Sequence, residues 1–160
     1  MMISSISLNF FELCSFDKEL LHNTNRRPHL VVLKLKYKGK RQDFAIPFRS
    51  NIPNYVPEEQ YFSLPPRATT RQYRIHGLHY IKMFPIKREF LEKFYIKNDS
   101  NFQIVKKVIT KNKKTIINEA QQYLIEYENG VIPKFATDIE RIYCTINTTE
   151  DYNEAAATKE

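Results

Sequence analysis

Arg49 and Ser50 stand side by side where an apolar run ends, a guanidinium next to a hydroxyl. A guanidinium presents a planar fork of donors that matches two oxygens of a phosphate. A hydroxyl can donate to the same phosphate or accept from a sugar hydroxyl. Upstream lie His29 and a lysine row, Lys34, Lys36 and Lys38; downstream come Arg67, Arg71 and Arg74 around Tyr73. These residue types point to phosphate chemistry on RNA, which carries its own nucleophile, the 2′-OH. An enzyme need only hold that hydroxyl in line, move its proton, neutralise the charge on the phosphoryl oxygens and protonate the departing 5′ oxygen. On this reading Ser50, Arg49, His29 and Lys36 are the candidate catalytic residues, with Lys34 an added clamp or proton mover. Plainer readings stand beside it: a lysine row also describes a solvated strand face, a serine after a strand a turn, and a lone histidine a satisfied core group.

Other chemistries find less support. The histidines His22, His29, His76 and His79 lack metal-ligand spacing, and His76 and His79 on one strand would point to opposite faces. The basic half holds no carboxylate cluster for a two-metal nuclease, since Asp43 faces away and Glu58 and Glu59 share a loop. Three glycines exclude a phosphate-binding or dinucleotide loop by count and position. Cys14 and Cys144 are too few for a disulfide framework and read as two thiols without chemistry. Neither a metal nor a cofactor is expected.

At 160 residues and 42% hydrophobic, the chain is long enough for one core, so a single domain over 1–160 is expected. The N-terminus lacks a basic leader and no run reaches membrane-spanning length, so a soluble, cytoplasmic protein is expected. Charge is uneven: residues 30–98 hold 14 Lys and Arg against 5 Asp and Glu, while residues 130–160 hold 3 against 6. A localised basic field calls for an anionic partner. Strand-like and turn-like placement of the charge favours nucleic acid over a membrane surface, which prefers a basic amphipathic helix.

The elements that must position these side chains centre on a predicted hairpin over 26–51, with a turn at Gly39 and its second strand ended by Pro47. Alternation puts Val31, Leu33, Leu35 and Tyr37 on one face and Lys34, Lys36 and Lys38 on the other. Residues 1–16 read as a strand leading into a short helical turn, and 51–70, with four prolines, as an irregular excursion. A strand is predicted over 78–84 and a short amphipathic helix over 87–97. A long helix follows from an N-cap at Ser100 to Asn129-Gly130, its apolar stripe interrupted at 111–114, where it bends or projects a basic turn carrying Lys113. Thr137 or Asp138 caps a last helix, and 148–160 reads as a polar, acidic, fraying tail. Arg26, Arg27, Lys34 and Lys38 from the hairpin, and Arg67, Arg71, Tyr73 and Arg74 beyond it, form the expected RNA-binding surface. His79, Lys82 and Lys113 complete it.

Arg27-Pro28-His29 leading into an apolar strand, followed by Phe44-Ala45-Ile46-Pro47-Phe48-Arg49-Ser50-Asn51-Ile52, resembles the toxins of type III toxin–antitoxin systems, the ToxN/AbiQ/CptN/TenpN endoribonucleases. The run from Gly77-Leu78 to Lys82-Met83-Phe84-Pro85-Ile86 and the lysine-rich helix after it are similar to the same family in the same order. The resemblance implies an α+β fold, a compact and strongly twisted antiparallel β-sheet surrounded by helices including one long one, related to MazF/Kid toxins. It implies sequence-specific, metal-independent RNA cleavage that leaves a 2′,3′-cyclic phosphate. Such toxins cut cellular or phage RNA and act in plasmid maintenance and abortive infection. They process, and are inhibited by, a repeated antitoxin RNA pseudoknot, with which they form a closed protein–RNA assembly. Ser50 matches the family's active-site serine; Arg49 takes the place of its neighbour, a threonine in some members. His29 falls where some members carry a lysine, and a lysine two positions after the serine is here Ile52.

Two readings from other classes remain. In a non-catalytic RNA-binding module the same basic face grips phosphates while Tyr37, Tyr73 or Tyr80 stack on bases. In a helical adaptor built on residues 100–147, affinity would be insensitive to salt, unlike phosphate binding.

Overall fold

A computed structural model describes residues 1–22, 27–95 and 99–157, with side chains up to residue 148. The strands are β1 (Met2–Ile6), β2 (His29–Tyr37), β3 (Lys40–Pro53), β4 (Tyr61–Leu64), β5 (Arg74–His79), β6 (Phe84–Ile86) and β7 (Leu91–Lys93). The helices are α1 (Leu8–Leu13), α2 (Ser100–Lys111), α3 (Lys113–Glu128) and α4 (Ile139–Ala157). The fold is α+β: one antiparallel sheet in the order β4-β5-β3-β2-β1-β7, with β6 pairing β3 from off that path.

The hairpin is present and its turn is tight. Tyr37 pairs with Lys40, so Lys38 and Gly39 form a two-residue loop. Both take positive φ, 50° and 70°, as a type I′ turn requires. The predicted alternation fails inside β2. The register with β3 shifts between Val32 and Leu35, and Lys34 sits at φ 59°. The extra residue turns Leu35 and Tyr37 onto the face of Leu30 and Val32. That face packs on Val105 and Ile109 of α2 and on Ile116, Ala120 and Leu124 of α3. The opposite face, with Val31, Ala45, Phe84 and Ile86, packs on Phe10 and Phe11 of α1 and on Ile142 and Ile146 of α4.

Beyond residue 31 the outer edge of β2 has no strand neighbour among the described residues, and α3 seals it. The Lys36 N–H donates to Gln121 Oε1 at 2.8 Å, and Gln121 Nε2 donates to the Lys36 carbonyl at 3.0 Å. One residue therefore has both of its outward backbone groups satisfied by a side-chain amide.

Several expectations are corrected. Pro47 does not end the second strand: β3 runs on to Pro53, and Pro47 stands where β3 leaves β2 for β5. The excursion over 51–70 contains β4, paired with β5. The strand placed over 78–84 is β5, a 3-10 turn at Tyr80–Lys82 and β6, in which Pro85 pairs with Phe44 instead of closing the run. The helix expected over 87–97 is a 3-10 turn at Arg88–Phe90 followed by β7, which pairs β1. The bend at 111–114 is a break at Asn112, whose amide donates to the Val108 carbonyl at 2.8 Å. Asp99, not Ser100, caps α2, its Oδ1 accepting from the Asn101 N–H at 3.0 Å. Asp138 caps α4, while Thr137 bonds the Ile81 and Met83 carbonyls, and α4 continues through the tail to Ala157. No helix among the described residues is long and apolar enough to cross a membrane.

Candidate RNA-binding and active-site cleft

Ser50 owes its position to a second irregularity, at the other end of β3. Arg49 pairs with Gly77 and Ile52 with Ile75, so three steps on β3 answer two on β5. Ser50 and Asn51 are the bulged residues, and a bulge re-aims side chains out of the strand's alternation. β5 can lie this close to β4 only because residue 77 is glycine: a Cβ there would come within 2.5 Å of the Phe62 carbonyl oxygen. Asn51 ties the bulge to the β4–β5 loop. Its amide donates to the Thr69 carbonyl at 3.1 Å and its Oδ1 accepts from the Arg71 N–H at 2.8 Å. A turn closed by Thr70 completes the loop, with its Oγ1 accepting from the Arg67 N–H at 3.0 Å.

A cleft of about 320 Å³ opens between these segments, walled by Arg27, Arg49, Ser50, Asn51, Arg67 and Thr69. Arg27 and Arg49 are half-buried, and burial is the main cause that lowers both guanidiniums from their ordinary range. Arg49 lowers Arg27 further, and Arg74 does the same to Arg49. Among the described residues no carboxylate forms an ion pair with Arg27, Arg49, Arg67, Arg71 or Arg74. Like charges held together out of water at some energetic expense are compensated by an anion bound between them.

His79 lies beneath Arg49. An Arg49 guanidinium N–H donates to His79 Nδ1 at 3.3 Å, which fixes the tautomer with hydrogen on Nε2. The ring is 1% exposed, and burial, then Arg49 and Lys82, push its pKa down to about 3. His79 is thus a neutral prop for Arg49 and not a surface contact, a correction to its expected RNA-binding role.

Arg27, Arg49, Ser50 and Arg67 are brought together, with Arg71 and Tyr73 on the exposed loop beside them and Arg74 at the exposed start of β5. His29 is not part of this group. It is fully buried with its ring against Phe84 at 5.6 Å, and burial, then Arg27, take its pKa to about 3. The Leu21 and Arg27 carbonyls stand near it, but neither ring nitrogen closes a hydrogen bond. A neutral core imidazole cannot move a proton at the surface, so its catalytic assignment is withdrawn. Lys36 pairs with Arg41, nine residues along β3 from Ser50 and roughly 30 Å of extended chain away. The catalytic role expected for Lys36 is incompatible with that separation.

Lys34 is exposed, its N–H bonded to Asp43 at 2.9 Å, and belongs to the same distant end. Lys38 there is paired with Glu140 at 3.0 Å and lies over the Tyr37 and Tyr143 rings. Lys82 is 6% exposed, donating to Glu19 at 2.5 Å and to the Phe135 carbonyl at 2.6 Å; it is a buried tie, not an RNA contact. Lys113 is exposed on a separate groove with Lys106 and Met1–Ile3. Arg26 lies outside the described residues. Sequence reasoning missed Asn51 and Thr69 as site residues and Tyr55, which is 82% exposed and acts on the Arg49 guanidinium. Asn51, directly after Ser50 in a proline-flanked run, was the available signal for the first.

No family model and no curated relative matches the sequence. Solved structures do match in fold. One, from work on a bacterial antiviral system regulated by a processed non-coding RNA, aligns with TM-score 0.68 at 16% identity, covering 89% of this chain and 95% of its own. A second, from work on type III toxin–antitoxin systems in which a non-coding RNA pseudoknot selectively inhibits the toxin, aligns with TM-score 0.66 at 15% identity over 95% and 97%. A third, AbiQ, a lactococcal anti-phage endoribonuclease of a type III system, aligns with TM-score 0.66 at 13% identity over 93% and 97%. The chain shares the fold of all three across nearly its whole length.

Proposed function

We propose that this protein is a metal-independent endoribonuclease toxin of a type III toxin–antitoxin system, one domain that cuts RNA in the cleft beside Ser50. The observation that carries the reading is a set of converging arginines that form no ion pair with a carboxylate among the described residues, placed against the Ser50 hydroxyl at a β-bulge. The shared fold and the resemblance of 44–52 to the toxin family support it.

In the cleft, Arg27 and Arg67 hold the phosphates flanking the scissile one and Arg49, braced by His79, forks onto its non-bridging oxygens. Ser50 hydrogen-bonds the 2′-OH or the same phosphate and sets it in line. The 2′ oxygen attacks phosphorus, its proton passing to solvent hydroxide. The bond to the 5′ oxygen breaks, that oxygen takes a proton from water, and a 2′,3′-cyclic phosphate remains. The guanidiniums neutralise the negative charge that builds up on the phosphoryl oxygens. His29 and His79, neutral above pH 4, take no part in proton transfer.

The antitoxin in this proposal is a repeated RNA pseudoknot occupying the same cleft, and the closed assembly follows from each toxin holding the ends of two RNA units. Incubation with RNA in EDTA tests the reading. Cyclic-phosphate ends in wild type and their loss in Ser50→Ala, with RNA binding kept, are expected. RNA binding without any cleavage overturns it in favour of a non-catalytic RNA module, and cleavage unchanged in Ser50→Ala overturns the assignment of Ser50.

A further inference from the structure

Behind the arginine cleft, and sharing Pro28, Phe48 and Arg67 with it, a second cavity runs in toward the start of α2. It is narrow, with a volume of about 40 Å³, enough for the edge of a flat ring and not for a bulky group. Phe48 and Phe102 form its apolar walls, their rings tilted by 38°. His76 closes it from β5 and is 2% exposed. Its Nδ1–H donates to the Pro65 carbonyl at 2.7 Å, which leaves Nε2 as a bare acceptor, buried and without a partner among the described residues. Burial, ahead of the opposing Pro65 carbonyl, lowers its pKa and keeps the ring neutral. Asp99 lines the same cavity, with one carboxylate oxygen already on the Asn101 N–H.

A buried acceptor without a donor is an unpaid polar group, and the exposed Asp99 carboxylate lining the same cavity offers a second acceptor. Their complement is an N–H₂. We infer that this cavity is the base-reading pocket of the cleft, in which His76 Nε2 and Asp99 accept from the exocyclic amino group of an unstacked nucleobase packed against Phe48 and Phe102. Adenine is the simplest such base. Uracil presents one N–H between two carbonyls, and those carbonyls would face the two acceptors. A base in the pocket hangs from a phosphate that Arg67 can hold, because Arg67 lines both cavities. Single-stranded RNA is read in this way elsewhere, with bases splayed onto aromatic side chains and recognised along their edges.

The inference rests on reading the neighbouring cleft as an RNA site, so binding and cleavage are measured apart. Affinities of the wild-type protein are determined for two 2′-fluoro hexamers, which have no attacking hydroxyl: one of adenosine and one of purine riboside, which is adenosine without its amino group. Adenosine is expected to bind about tenfold more tightly, the worth of one buried hydrogen bond whose acceptor is otherwise left unpaired. In His76→Phe the ratio should fall below twofold while the salt dependence of binding stays unchanged. Phe102→Ala, on a partly exposed wall, should lower it in the same way with no loss of the Pro65 contact. A ratio below fivefold in wild type overturns the pocket, and a ratio that survives both substitutions overturns its residues. Cyclic-phosphate ends are then sought on the mixed-sequence RNA of the EDTA incubation, because a sequence-specific nuclease need not cut a homopolymer. Selective binding without cleavage leaves the pocket standing and removes the nuclease, whereas cleavage without selectivity does the reverse.

Discussion

At the hairpin end of β3, Lys38 meets Glu140 at 3.0 Å, the Lys34 N–H meets Asp43, and the backbone of Lys36 is closed by Gln121. At the far end, Arg27, Arg49 and Arg67 share a cleft, with no carboxylate among the described residues paired to any of them. Both ends are rich in positive charge along the sequence, and the lysine end is the denser of the two. What separates them is compensation. The lysines stand in water or, at Lys38, beside an acidic partner, where a charge is nearly free; Arg27 and Arg49 are partly desolvated, Arg49 bearing on Arg27 and Arg74 on Arg49, where charge is held at an energetic loss unless something anionic arrives.

The largest test of that contrast is catalytic. Arg49→Ala or Ser50→Ala should lower cleavage about a hundredfold, the usual effect of removing one preorganised donor from an anionic transition state. Lys36→Ala should stay within twofold. Equal losses at both ends, in the same RNA cleavage assay, would erase the distinction between them.

Binding comes next. Arg27→Ala and Arg67→Ala should each weaken RNA affinity and reduce the slope of log affinity against log salt by about 0.7, one phosphate contact on a single strand. Lys34→Ala and Lys38→Ala should leave that slope unchanged, which a titration from low to moderate salt would reveal.

Acid sensitivity sharpens the contrast from the side of stability. His29 and His79 have folded pKa values of about 3 against an ordinary 6.5, so the unfolded chain binds more protons throughout that interval. Stability is therefore complete above about pH 6.5 and declines as pH falls toward 3. Denaturant midpoints at pH 7 and pH 4.5 should differ clearly in wild type and less in His29→Leu. The cleavage rate should in turn rise with pH from 6 to 9, because no histidine of the cleft titrates there; a bell centred near pH 7 would return a histidine to the mechanism.

The smallest effect is expected at Lys38→Ala. Its bond to Glu140 is solvent-exposed on both sides, so the melting temperature should move by about 1–2 °C at most.

Local signals in the sequence carried much of the scaffold. Gly39 marked the turn, the gap in the apolar stripe at 111–114 marked the break at Asn112, and Arg49-Ser50 lay at the mouth of the cleft. The two bulges were invisible because each is a count of residues against a partner strand, and the partner of Arg49-Ile52 lies at Ile75–Gly77. The first bulge inverted the faces expected for Leu35 and Tyr37; the second aims Ser50. β7 was misread as helix because Phe90, Leu91 and Phe94 satisfy a helical spacing, while pairing with β1 decides the outcome. His29 carried the look of a proton carrier, but only the packing of Phe84 against it shows that no substrate reaches it.

The Gln121 amide has a consequence for how this chain behaves in a crowded solution. A strand edge with free N–H and carbonyl groups is a template on which another chain can add a strand, the first step toward fibres and swapped dimers. At Lys36 both groups are already occupied, and the lysines on either side repel an approaching copy. Gln121→Ala would leave the cleft intact and reopen that edge, so its signature would be concentration-dependent self-association in light scattering, with the monomer's RNA affinity unchanged.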